Sequence, residues 1–195
     1  MSVYKLHTKK MVNYKVVYML YILTSDMFFY NGLKSMYGDN NIVQLFSLDN
    51  IKRKYTPSDC LLIDMLRCQL KGPEYIYLVQ ELILGRIIIL SSFRLSRFKS
   101  LSPVIFIPRN INPEMLSLCP EIFLDEPEII LPTLTLREYE IITQLTNHHD
   151  DTRIASSLGI TIATLRIHKY QLMLKLKLKK MSHIMNTEHY AYING

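Results

Sequence analysis

Between Thr152 and Leu176 the order of small, flexible and apolar residues admits few backbones other than two helices joined by a tight turn. Ala155 offers the small side chain that lets two helices cross closely. Gly159, four residues on, tolerates the positive φ that carries a chain out of one helix. Ile160 can then plug a core, and the Thr161 hydroxyl can cap the next helix. Leu165, Leu172 and Leu176 recur at helical spacing and predict that helix's buried side. Its opposite side presents Arg166, Ile167 and Tyr170, with Lys169 and Met173 beside them. From Leu172 to Lys179 every second residue is leucine, which is a strand signal. The unbroken helical spacing from Leu165 outweighs it and predicts a helix that ends near Lys177, with a final helix around Ser182–His189. Upstream, Thr135 and Glu138 stand three apart as a capping box, and Leu134, Ile141, Ile142 and Leu145 supply that helix's apolar side.

A short helix with an arginine, an isoleucine and a tyrosine on its outer face fits the major groove of double-stranded DNA. The expected base contacts are Arg166 to a guanine edge, Ile167 to a thymine methyl, and Tyr170 beside them. Thr161, Thr164, His168, Lys169 and Lys175 are expected at the backbone, where contacts orient a protein without reading sequence. The charge distribution agrees. The chain has 195 residues and a formal charge of +6, and from Thr152 to Thr187 it carries seven lysines and arginines and no Asp or Glu. Charge alone would equally suit a solvated basic face, and the helices alone a small bundle with no partner.

The stretch Leu134–Leu176 resembles the DNA-binding domain of LuxR/FixJ-type regulators. That family's L-T-x-R-E-x-E pattern stands here as Leu134, Thr135, Arg137, Glu138 and Glu140. Its I-A-x-x-L-x-I-S is matched by Ile154, Ala155, Leu158, Ile160 and Thr161. Its recognition-helix pattern is matched by Thr164, Leu165, Arg166, His168, Leu172, Lys175 and Leu176. The resemblance implies base contacts from Arg166, Ile167 and Tyr170, backbone contacts from His168 and Lys175, and a fourth helix after Leu178 that helps two copies dimerise. The chain departs from the pattern before the second helix, where His148 replaces a usual glycine and Asp150-Asp151-Thr152-Arg153 replaces S-N-K-E. Two acids at a helix start suit its dipole but repel a phosphate. His148, His149, Asp150 and Asp151 could also suggest a metal site, but adjacent residues rarely converge on one ion, and a polar turn is the simpler expectation.

The first part of the chain is built differently. Val16–Leu23, Ile42–Leu45, Cys60–Ile63, Ile87–Leu90 and Val104–Ile107 are short apolar runs of the kind that form buried parallel strands. Candidate helices at Phe28–Tyr37 and Tyr75–Leu84 lie between them, which predicts an α/β layer with a parallel sheet. Pro113, Pro120, Pro127 and Pro132, with Asp125, Glu126 and Glu128, mark a linker. The expected domains are therefore an α/β domain at 1–112, a Pro-rich linker at 113–132 and an all-α helix-turn-helix domain at 133–195.

More loosely, the α/β part resembles the receiver domain that often precedes this DNA-binding domain. The resemblance places Asp64 at the phospho-acceptor position, Ser91 at the switch position, and Thr24 and Ser25 where two Mg²⁺-binding acids belong, with Asp26 one residue beyond. Arg109 follows the last strand where a lysine is usual. A phosphoryl-transfer site without those carboxylates and that lysine has lost most of its charge stabilisation. The expectation is a degenerate receiver, not switched at Asp64, that serves as an interaction surface.

Cys60, Cys68 and Cys119 form no C-x-x-C, so neither a disulfide framework nor a zinc site is indicated, and a reducing cytoplasm fits. The apolar run Val16–Leu23 is too short to span a bilayer, and no small-residue cleavage site follows it as in a signal peptide. No nucleotide-binding glycine loop or nucleophile elbow occurs, which argues against an enzyme. The sequence thus points to a cytoplasmic, nucleoid-associated bacterial transcription regulator that needs no cofactor and no membrane. It would bind DNA as a homodimer, or as a heterodimer with a related regulator. The alternative is an auxiliary module that pairs with or sequesters another regulator and binds DNA weakly alone.

Overall fold

The computed structural model describes residues 19–47, 56–67, 74–110, 131–147 and 150–186. Along the chain run β1 (Leu20–Leu23), α1 (Met27–Tyr37), β2 (Ile42–Leu45), β3 (Cys60–Asp64), α2 (Glu74–Gln80), β4 (Arg86–Leu90), β5 (Arg94–Leu95) and β6 (Val104–Ile107). They are followed by β7 (Thr133–Leu134), α3 (Leu136–Thr146), α4 (Asp151–Ser157), α5 (Ile162–Lys175) and a 3₁₀ turn at Met181–Asn186.

Five strands form one parallel sheet in the order β2-β1-β3-β4-β6. This is the doubly wound order in which the chain reverses direction across β1 and β3, leaving a crevice at their carboxyl ends. Period-two alternation sends β-strand side chains to opposite faces. Leu61, Ile63, Ile87 and Ile89 join one apolar cluster, while Leu20, Ile22, Leu62, Ile88, Leu90 and Ile107 join another with Leu33 of α1. Both faces are covered, which is why these strands read as continuous apolar runs. Cys60 is buried within the sheet, and burial pushes its thiol pKa up.

The predicted strands are found, although Val16–Tyr18 lies outside the described residues. The helix expected at Tyr75–Leu84 stops at Gln80. Ser102 accounts for the early stop. Its Oγ accepts from the Leu84 amide at 2.6 Å and donates to the Leu82 carbonyl at 2.7 Å, taking backbone groups that would have continued the helix. Gly85 then lets the chain pass close to the loop before β3, since a Cβ there would meet the Pro57 carbonyl oxygen at 2.8 Å.

A parallel crossover usually carries a helix. Between β4 and β6 the chain carries β5 instead, and β5 pairs in parallel with β7 at the entrance to the C-terminal helices. Arg94 and Ser96 donate their amides to Pro132 and Leu134 carbonyls at 2.9 and 2.7 Å. Phe93 sets its ring 5.6 Å from that of Tyr139 in α3, and both are fully buried. One apolar cluster thus runs from Ile63 and Ile89 of the sheet through Phe93 and Leu95 to Leu134, Tyr139 and Leu165. Most of the predicted linker lies outside the described residues.

Phe93→Ala should remove this bridge and cost about 3–5 kcal/mol. Calorimetry should then resolve two unfolding transitions where the native chain gives one.

Candidate nucleic-acid interface

The C-terminal helices are set by their caps. Thr135 Oγ1 accepts from the Glu138 amide at 3.1 Å, and the Glu138 carboxylate accepts from the Thr135 amide at 2.7 Å, the expected capping box. The same carboxylate oxygen takes the Lys175 ammonium at 2.6 Å from the last turn of α5. Glu138 is only 2% exposed. Burial alone would raise its pKa, but the Lys175 ammonium and the Thr135 amide outweigh that and hold it below the ordinary carboxylate value.

Asp150 caps α4 by accepting from the Arg153 amide at 2.9 Å. Asp151, which would repel a phosphate, is instead paired with Lys169 of α5 at 2.8 Å. The turn between α4 and α5 is a Schellman motif. Ile160 donates to the Ala155 carbonyl, Gly159 donates to that of Ser156, and Gly159 sits at φ 63°. Thr161 then caps α5 by accepting from the Thr164 amide at 3.1 Å. A second turn of this kind closes α5. Lys177 stands at φ 54° and Leu178 donates to the Met173 carbonyl at 2.8 Å, which returns Leu178 to the core. The period-two leucines are therefore divided within a helix and its cap. Leu172 and Leu176 are buried and Leu174 is exposed.

Ala155, Leu165 and Leu172 lie inside, as predicted. Arg166, Ile167 and Tyr170 project from the outer face of α5, the last two each 59% exposed. Thr161 is exposed and Thr164 half-buried at the start of the helix. Lys169 and Lys175 lie beside the ridge, each already held by a carboxylate. His168 is half-buried and lines a recess with Thr135, Gln171 and Lys175. The sequence reading left out Leu174, 62% exposed, which extends the ridge one turn beyond Tyr170. Its i+4 spacing from Tyr170 was the available signal. His148 and His149 lie outside the described residues, as does the end of the expected final helix. The part of that helix that is described is a 3₁₀ turn.

At the carboxyl ends of β1 and β3, Asp64 is fully buried. Its carboxylate accepts from Thr24 Oγ1 at 3.0 Å, from Arg109 Nε at 3.2 Å and from the Leu66 amide at 3.2 Å. Arg109 also reaches Asp26 at 2.5 Å and lies over the Phe29 ring. Desolvation raises the Asp64 pKa in spite of Arg109 and Thr24. The Phe29 amide and Arg109 lower that of Asp26. Ser91 is buried, its hydroxyl accepting from the Phe93 amide. Thr24 bonds directly to the residue with which an acid in its place would have shared a cation. Among the described residues, no group of three or more His, Cys, Asp or Glu is placed to hold a metal ion.

A doubly wound sheet with a positive side chain sealing its crevice, joined to a capped helix-turn-helix with an open outer ridge, defines a receiver-like DNA-binding regulator. Residues 19–122 match the family described as GadE/DctR transcriptional regulator, N-terminal domain, and residues 132–186 match the bacterial regulatory proteins of the luxR family. The chain therefore belongs to the GadE/DctR family of transcriptional regulators. It is 26% identical over 168 residues to Transcriptional regulator GadE of Escherichia coli K12, covering 86% of this chain and 95% of that protein. It is 23% identical over 176 residues to HTH-type transcriptional regulator DctR of the same strain, covering 90% and 99%. Among solved structures it is similar to the response regulator RcsB in its DNA complex, with a TM-score of 0.48, 15% identity, and coverage of 91% of this chain and 100% of that one. Among the described residues no helix is long and apolar enough to cross a membrane.

The lowered pKa of Glu138 fixes the sign of one pH effect. Its folded value lies below the unfolded one of about 4.3, so its stabilisation is full above that pH and fades as pH falls through the lowered value. Thermal unfolding followed between about pH 6 and pH 3 should show this loss. Glu138→Gln should start less stable at neutral pH and lose less across that window.

Proposed function

We propose that this regulator binds double-stranded DNA sequence-specifically as a dimer, with α5 in the major groove and without phosphorylation at Asp64. The observation that carries the reading is the outer ridge of α5. It stays exposed while the buried side of the same helix shares a core with the α/β part, so nothing has to move to uncover it. Arg166, Ile167 and Tyr170 read base edges. Thr161, Thr164, His168, Lys169 and Lys175 face the phosphates, the two lysines positioned by Asp151 and Glu138. Two copies, identical or related, place their half-sites about one helical turn apart. The chain divides functionally into an interaction domain at 1–112, a linker at 113–132 and a reading domain at 133–195, and it works in the cytoplasm on the nucleoid.

Binding to genomic fragments across a salt titration tests the reading, a steep log–log slope being expected. Arg166→Ala should relax preference at one base pair, by about 1–3 kcal/mol. In a Glu138→Gln background, which leaves no buried charge unpaired, Lys175→Ala should weaken all sequences alike and flatten the salt slope by about one unit. Identical behaviour of the two variants would overturn the division of roles.

Phosphorylation-independence is supported by the crevice. Asp64 has no exposed surface and an arginine already occupies its charge. Incubation with labelled acetyl phosphate and Mg²⁺ should leave the chain unlabelled, and DNA affinity should be the same before and after. Stable label at Asp64 would contradict this.

A further inference from the structure

A cavity of about 430 Å³ opens at the seam between the two parts, in the range of small-molecule sites. The regulator reading makes no use of it. Its walls are the β5 segment, the edge strand β6 and Thr133 of β7. Arg94 and Arg97 both line it, and among the described residues no carboxylate does. Arg94 Nε donates to Thr133 Oγ1 at 2.7 Å, which leaves the guanidinium's terminal nitrogens as further donors. Arg97 stands at φ 56°, in the left-handed region that residues other than glycine adopt only occasionally.

The remaining walls mix apolar side chains with serine hydroxyls. Phe98 and Phe106 meet edge to face, ring centroids 5.8 Å apart. Ser100 and Ser102 are taken up by bonds to the Val79 and Leu82 carbonyls, which fasten the loop to the end of α2. The Ile87 amide of β4 and the Ser91 amide just after it donate to the Pro103 and Ile107 carbonyls of the β6 segment, each at 2.9 Å. By the alternation of a parallel ladder, the Val104 and Phe106 backbone groups then point away from β4.

We propose that this cavity binds a small organic anion, a carboxylate joined to a compact apolar or aromatic body. The two guanidiniums take the carboxylate, bidentate geometry being what arginine offers. The phenylalanine pair takes the body. Because Arg94 and Thr133 are themselves the β5–β7 pair, a bound anion ties the α/β part to the reading helices and stabilises the joined form by mass action.

Calorimetric titration of the full chain with benzoate, and with inorganic phosphate as a body-less anion, tests this. Thermal unfolding supplies a second readout. Benzoate should bind at one site per chain, raise the unfolding temperature, and bind more tightly than phosphate. Arg97→Ala alters an exposed side chain with no role in the core, and should weaken benzoate about tenfold or more. Lys99→Ala, which removes a neighbouring charge outside the cavity lining, should change affinity by no more than about twofold. Absence of saturable binding, phosphate binding as tightly as benzoate, or equal losses in the two variants would each overturn the proposal. None of these outcomes bears on DNA binding by Arg166, so the two readings fail independently.

Discussion

One buried carboxylate organises the reading domain. Glu138 caps the start of α3 through the Thr135 amide and anchors the end of α5 through Lys175, so a single side chain fixes where two helices begin and end relative to each other. Leaving such a group unpaired in the core is costly, typically about 1–3 kcal/mol. The arrangement that satisfies it is therefore strongly preferred. Lys169 and Asp151 form a second, partly exposed ion pair between α4 and α5. The ridge of Arg166, Ile167 and Tyr170 projects from the helix that the Glu138–Lys175 pair anchors.

The α/β part is in direct contact with the helix-turn-helix. Its crevice, at the place where a doubly wound sheet binds ligands, is filled by Arg109 between Asp26 and Asp64. A cation supplied by the chain stands where the receiver resemblance implies a bound one. The crossover from β4 to β6 gives up its helix for a short strand that pairs with β7, and Phe93 packs on Tyr139. The sheet and the helix-turn-helix then share one apolar cluster.

Much of this was legible in the residues. The five apolar runs carried the sheet because strands buried on both faces are apolar throughout. Thr135, Glu138, Gly159 and Thr161 carried the helix boundaries because capping and positive φ are local chemistry. The ridge of α5 followed from spacing. What escaped was non-local. A two-residue strand such as Arg94–Leu95 has no period to read, and its partner lies 39 residues away at Thr133 and Leu134. The early end of α2 depends on Ser102. The roles of Lys169 and Lys175 as internal partners depended on where Asp151 and Glu138 come to lie. Leu174 was hidden by the period-two leucines that a positive-φ lysine resolves.

The central claim is that the outer ridge of α5 enters the major groove. Methylation protection at bound sites reads this directly, since dimethyl sulfate attacks guanine N7 in the major groove and adenine N3 in the minor. Guanine N7 should be protected in each half-site, adenine N3 should stay reactive, and Arg166→Ala should restore reactivity at one guanine. Protection confined to adenine N3, or guanine protection unchanged by that substitution, would contradict the account.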